Sequence, residues 1–309
     1  MDQDQHSTLC TALTSQNMGI SSFGPENVTG VSTDMWFIIF LACIFFATFV
    51  VGLIGNGLVI FLTACRMKTT VNSIWFLNLA IADFIFILSS ITGVCLKLID
   101  WHNVFTAYFF SITTSLNLFA SILFLVVISL DRCLRTWMAV WAQNNRTLSK
   151  ARIICMIVWV SSIGYILPFF EGFEIADTIL VTYGFIGAFL IPFLIIVSSY
   201  IAIGVKIKRL KTRKQLRSYR LIITVILTFF ICSFPFHVCC FFITAKNNSN
   251  LRDTKQISMP LIFSMYLIYL NSCLNPFLYV FMCDEYKKKL KQSLVLVLET
   301  TFAEDPLGC

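Results

Sequence analysis

Charge is scarce in this chain. Asp, Glu, Lys and Arg make up 13% of its 309 residues, 58% are hydrophobic, and the mean hydropathy is +0.82. Soluble domains carry about a quarter charged residues, so a soluble globular class is excluded. The formal net charge of +7 is not gathered into one basic stripe, which argues against nucleic-acid binding. Residues 1–34 lack the basic start and apolar core of a cleavable signal peptide. Also missing are the internal repeats and abundant intramembrane charge expected of a transporter or channel. Cysteine is plentiful at 12, yet most lie within apolar runs or on the basic side, so they form no extracellular disulfide framework.

What the chain does have is seven long runs with little or no charge, at residues 35–65, 73–96, 104–130, 153–170, 179–205, 221–245 and 256–283. Crossing a bilayer core takes about 20 apolar residues per helix, so these predict an all-α, multi-pass, seven-helix bundle. Orientation follows from the short connections, because Lys and Arg are retained on the cytoplasmic side. Arg66 and Lys68 follow the first run, and Arg132, Arg135, Arg146, Lys150 and Arg152 the third. Eight more lie between Lys206 and Arg220, and Lys287, Lys288, Lys289 and Lys291 follow the seventh. Together these are nineteen of the 23 basic residues, which places the N-terminus outside and the C-terminus inside. The expected organisation is an extracellular disordered segment over 1–34 and a membrane domain over 35–283. A short amphipathic helix and tail over 284–309 completes it, with its lysines near lipid phosphates. Asn27 and Asn247 match the outward glycosylation pattern, and Cys283 is a palmitoylation candidate.

Polar residues inside the runs mark function by default, because they are costly in lipid. Asp83 sits mid-run. Asn117 and Ser121 are four apart on the third run, as are Asn271 and Asn275 on the seventh, so each pair shares a helix face. With Asn56 they can surround Asp83 with oxygens suited to a small hard cation, sodium; an ion-free hydrogen-bond network is the plainer alternative. Pro192, Pro235 and Pro276 each remove a helical donor inside a run, which permits hinges. Asp131 and Arg132 close the third run, where a lone Arg could simply snorkel to the headgroups.

Taken in order, Gly55-Asn56-Gly57, Leu79 to Asp83, Asp131-Arg132-Cys133, Trp159, Pro192 with Tyr200, Phe229-Cys232-Pro235 and Asn275 to Tyr279 resemble the rhodopsin-like G protein-coupled receptors. Arg66 to Val71, Val140 to Thr147 and Asn271 to Phe281 are most similar to the chemoattractant group: formyl-peptide receptors, the chemoattractant prostaglandin receptor and orphan relatives. The resemblance implies no covalent catalysis. It implies an exchange factor for heterotrimeric G proteins, of the inhibitory class, at the plasma membrane, driven by an extracellular peptide or lipid. By similarity, Asp131 pairs with Arg132 at rest. The inner end of the sixth helix then swings about Pro235, Arg132 turns toward Tyr200 and the G protein, and Tyr279 rotates inward beside Asn275 and Pro276. Thr300 and Thr301 are nearly the only hydroxyls late in the tail, so arrestin recruitment is expected to be weak.

Three positions depart from the family. Ala107 stands where a disulfide cysteine is usual, and no cysteine lies between Phe170 and Ile179. The loop there shrinks to about residues 171–178, and Ser233 replaces the bulky aromatic before Phe234 and Pro235. These departures favour a second reading, a signalling-impaired or decoy receptor. The third run has no acid to hold an amine, the seventh no lysine for a Schiff base, and the fifth no basic residue for a formyl peptide. Outward candidates for a ligand pocket are Lys97, Tyr108, Thr114, Tyr183, His237, Tyr266 and Tyr269.

Overall fold

A backbone buried in hydrocarbon must satisfy its own hydrogen bonds, and among the described residues every element of the computed structural model is accordingly helical. The structure describes residues 28–98, 104–169, 177–210, 213–248 and 255–282, with Lys288 and Gln292. Helix α1 is Val28–Phe61, continued by a π-helical turn Leu62–Arg66; α2 is Val71–Leu98 and α3 Val104–Trp137. A short helix α4, Ala139–Asn145, follows, then α5, Leu148–Ile166, and a 3-10 turn Leu167–Phe169. Helix α6 runs through Asp177–Phe185, a π turn Ile186–Leu190 and Ile191–Leu210. Helices α7, Arg213–Asn248, and α8, Lys255–Met282, complete the bundle. Six of these helices are long and apolar enough to cross a membrane among the described residues. Helix α8 is the seventh span expected from the sequence, and it packs against α1, α2 and α7.

Packing closes a ring in which α1 meets α2 and α8, α8 meets α7, and α7 meets α6. Helix α3 is the axle, touching α2, α5 and α6, and α5 lies outside against α2 and α3. The core around this axle includes Leu79, Ala82, Ala120, Phe124, Ile196 and Phe229, all essentially buried. One face of α5 is the reverse: Ile153, Met156, Ile157, Val160 and Ile163 are exposed, as a lipid-facing stripe must be. Small residues set the closest approaches. A methyl group at Gly52 would lie 2.4 Å from Cys273 Sγ and 2.7 Å from Ile87 Cδ1, so glycine is what lets α1 and α8 meet there.

Hydroxyls are made tolerable locally. Ser89, Ser90, Ser129 and Ser162 each donate to the carbonyl four residues back, at 2.7 to 2.8 Å. Helix α2 begins with a reciprocal cap, Thr70 N–H donating to Ser73 Oγ (2.7 Å) and Ser73 N–H to Thr70 Oγ1 (3.1 Å).

Several expectations change. Helix α1 starts at Val28, so residues 28–34 are helical and not part of a disordered segment. The basic stretch between Lys206 and Arg220 is mostly helix: α6 persists to Leu210 and α7 starts at Arg213. In an otherwise apolar span those charges extend the helices past the bilayer, since the 36 residues of α7 reach about 54 Å against a hydrocarbon core of about 30 Å. Pro192 follows the π turn Ile186–Leu190, which re-registers the chain around its missing donor. The amphipathic helix expected after Cys283 lies outside the described residues, apart from Lys288 and Gln292, which are helical and exposed.

Candidate functional site

Two polar assemblies lie along α3, one near its middle and one at its inner end. In the first, Asp83 is fully buried. Ser121 Oγ donates to its Oδ1 and Asn275 Nδ2 to its Oδ2, both at 2.7 Å, with Ser272 beside them. One carboxylate thus ties α2, α3 and α8 together. Asn56, also fully buried, donates from Nδ2 to the carbonyls of Gly52 (3.0 Å) and Ser272 (3.2 Å), which brings in α1. Its Oδ1 is buried with no hydrogen-bond partner. Asn117 and Asn271 are buried in the same region, but Asn117 Nδ2 donates within its own helix to Thr113 O at 2.7 Å. Of the expected ligand set, Asp83, Ser121 and Asn275 are directly joined. Ser272, one residue past Asn271, was not singled out from the sequence; its spacing of three from Asn275 places it on the same face.

At the inner end the expected Asp131–Arg132 pair is replaced. Arg146, returning from beyond α4, donates to Asp131 through Nε (2.6 Å) and Nη2 (3.0 Å), and its Nη2 also donates to Asn72 Oδ1 on α2. Arg135 Nε lies 3.3 Å from the same carboxylate. The reason is helical geometry: neighbours in sequence diverge around the helix, whereas Arg135 is four residues on and shares the face of Asp131. Arg132 Nε is left buried without a hydrogen-bond partner. Tyr200 is buried beside Ser129 and Arg132. Nearby, the Trp137 indole N–H donates to Ala202 O at 2.9 Å and Lys206 Nζ sits 5.3 Å above the Trp137 ring, which fastens α3 to α6. From the sequence, Arg146 stands as a loop charge and as part of the Val140 to Thr147 resemblance, with no role toward Asp131, and Asn72 is passed over; neither has a local signal, because the contacts of Arg146 span 15 residues to Asp131 and 74 to Asn72.

Pro235 lies within α7, half-buried. Pro276 in α8 is buried close to Gly55, where an added methyl would come within 3.2 Å of its ring. Tyr279 is part of α8, and its side chain lies outside the described set, as do those of Lys97, Tyr108 and Asn247. Asn27 and Cys283 fall outside the described residues altogether.

The remaining pocket candidates make contacts of their own among the described residues. Tyr183 stacks on Tyr165 at 4.9 Å and donates to its carbonyl at 3.2 Å, and Tyr165 stacks in turn on Phe119 at 3.6 Å. Tyr266 shares a hydrogen bond with Thr48 Oγ1 at 2.9 Å and packs on Phe45, while Tyr269 stacks on Phe86 at 5.1 Å. These tyrosines join helices. His237 is buried against Phe185, Phe189 and Phe236, with ring centroids 5.3 to 5.6 Å away. Thr114 is half-buried on α3.

Comparison with known proteins matches residues 55–279 to the family described as 7 transmembrane receptor (rhodopsin family). The C3a anaphylatoxin chemotactic receptor of Danio rerio is 38% identical over 280 residues, covering 84% of this chain and 76% of that receptor. Chemerin-like receptor 1 of Homo sapiens is 31% identical over 312 residues, covering 86% and 81% respectively. The fMet-Leu-Phe receptor of Macaca mulatta is 32% identical over 320 residues, covering 91% and 92%. The chain belongs to the rhodopsin family of seven-transmembrane receptors and, within it, to the chemoattractant-type G protein-coupled receptors.

Proposed function

We propose that this receptor passes an extracellular peptide signal to heterotrimeric G proteins of the inhibitory class at the plasma membrane, with its N-terminus outside and its C-terminus inside. The observation that supports this best is the division of labour at the inner end of α3. Asp131 is satisfied by Arg146 and Arg135, so Arg132, with Nε unpartnered, is available to a helix docking between α3 and α6. An unsatisfied buried donor is costly until a partner carbonyl reaches it. Motion of α7 about Pro235 would widen that cleft, and Tyr200 beside Arg132 would steady the guanidinium. The peptide class rests on the relative named for the C3a anaphylatoxin, since the fifth span has no basic residue for a formyl peptide.

The residues around Asp83 fit a sodium ion. They offer a carboxylate, the Ser121 hydroxyl and amide oxygens, and the unpartnered Asn56 Oδ1 is an acceptor that a cation or water would satisfy. Bound there, the ion would hold α2, α3 and α8 in the resting packing. The inner lysines favour anionic lipid, and the hydroxyl-poor tail favours weak arrestin recruitment.

The test is nucleotide exchange on purified inhibitory G protein by the receptor in nanodiscs, with and without C3a. Exchange that Arg132→Gln abolishes, at unchanged surface display, is the expected result. The second reading, a signalling-impaired receptor, is favoured by Ala107 and Ser233. It predicts normal display of an N-terminally tagged chain with no exchange from any form.

A further inference from the structure

Arg146 belongs to a second pattern besides its contact with Asp131. It stands three residues before Ser149, with Lys150 immediately after that serine and Arg152 three residues beyond it. Ser149 is exposed in the first turn of α5, and its hydroxyl has no hydrogen bond among the described residues. The flanking hydroxyl differs: Thr147 Oγ1 is occupied, accepting from Lys150 N at 3.3 Å. A free hydroxyl set among three cations is what a protein kinase with a carboxylate-lined peptide groove recognises. Two of those cations are exposed, whereas Arg146 is engaged with Asp131 and Asn72.

We infer that Ser149 is a phosphorylation site for such a kinase, and that its phosphate draws Arg146 away from Asp131. Ser149 Oγ attacks the γ-phosphorus of ATP, the bond from that phosphorus to the ADP oxygen breaks, and the serine proton passes to the kinase base. The products are phosphoserine and ADP. The new group carries about −1.5 to −2 charge and three acceptor oxygens, against the single charge of a carboxylate that Arg135 already shares. Losing Arg146 frees the turn after α4 from α2 and α3. It also leaves Asp131 to Arg135 alone, which alters the inner end of α3 where the G protein docks. That last consequence rests on the coupling reading above; the phosphate transfer and the release of the loop do not.

The test uses the full chain in nanodiscs, the catalytic subunit of a basic-directed kinase and ATP, with the site located by mass spectrometry. Phosphate is expected on Ser149, faster by about threefold in Asn72→Ala or Asp131→Asn, where Arg146 is unmasked, and slower by about tenfold in Arg146→Gln. Amide exchange across Ala139–Asn145 should rise on phosphorylation and stay unchanged in Ser149→Ala treated alike. No phosphate on Ser149 in the wild type and in both unmasked variants overturns the site. Unchanged amide exchange in a stoichiometrically phosphorylated chain overturns the transfer of Arg146. Exchange on G protein, measured on the same samples, separates these failures from a receptor that does not couple.

Discussion

Replacing Asp83 tests how the spans are held together. Asp83→Ala removes the acceptor of Ser121 and of Asn275 Nδ2, two bonds of 2.7 Å between fully buried partners, and leaves both donors unpaired. Hydrogen bonds between membrane helices average about 0.6 kcal/mol and reach about 1.7, so two lost together cost about 1 to 3 kcal/mol. At roughly 2 to 4 °C per kcal/mol, the value for domains of about 150 to 250 residues, the melting temperature falls by about 2 to 12 °C. Asp83→Asn behaves differently. Its Oδ1 still accepts from Ser121, and Asn275 can turn its amide to offer an oxygen to the new NH2 group, so the loss is expected to stay below about 1 kcal/mol. The assay is thermal unfolding of detergent-solubilised protein, in sodium chloride and in choline chloride. If sodium binds with a dissociation constant about one tenth of its concentration, it adds about 1.4 kcal/mol to the wild type, and both variants should lose that increment. Equal melting temperatures for wild type and Asp83→Ala would show that the carboxylate does not join the helices. A sodium increment surviving in Asp83→Asn would place the ion elsewhere.

Other substitutions read separate parts of the bundle. Gly52→Ala places a methyl 2.4 Å from Cys273 Sγ and should destabilise by about 1 to 3 kcal/mol, with part of the loss recovered in Gly52→Ala/Cys273→Ala; thermal unfolding of both checks this. Arg146→Gln should leave Asp131 to Arg135 alone and free the turn after α4 from α2, and basal exchange should fall severalfold at unchanged display, read by nucleotide exchange beside surface immunostaining. Thr70→Ala removes one arm of the cap on α2 and should cost about 1 kcal/mol, visible as a lower melting temperature. Arrestin recruitment by the unmodified tail should be weak in a proximity assay and should grow when hydroxyls are added beside Thr300 and Thr301; strong recruitment without them contradicts the tail reading.

How far the sequence speaks depends on the range of the interaction. The spans were legible because a bilayer imposes a length and forbids charge, and six of the seven runs emerge as membrane-compatible helices with the seventh packed beside them. Asp83 was legible for the same reason, since an acid in mid-span has to find donors. Ser121 and Asn275 were legible as its partners because helical spacing puts them on inward faces. For Asp131 the family resemblance implied Arg132 as partner, whereas the chain folds back through α4 to bring Arg146 in. The π turns at Leu62–Arg66 and Ile186–Leu190 were invisible for a different reason: each is one extra residue in a helical repeat, which hydrophobic periodicity does not register.

The outer half shows why a missing tether need not leave its helices adrift. Tyr165 on α5 and Tyr183 on α6 bind each other reciprocally, Tyr183 Oη donating to the Tyr165 carbonyl at 3.2 Å and Tyr165 Oη to the Gly184 carbonyl at 3.3 Å. The two rings stack on each other and that of Tyr165 also on Phe119 of α3, and Gly187 on the π turn leaves room for Tyr165, since a methyl there would come within 2.6 Å of its ring. Stacked aromatic pairs contribute about 0.5 to 1.5 kcal/mol each beyond their burial, and two bonds of this kind add about 1 kcal/mol in a membrane setting. The total, about 2 to 4 kcal/mol, lies within the range of a native disulfide, about 2 to 5 kcal/mol. The clasp joins α5 and α6 directly, and α5 to α3 through Phe119. The stack holds α5 and α6 together close to where the first ends, in the turn Leu167–Phe169, and the second begins, at Asp177.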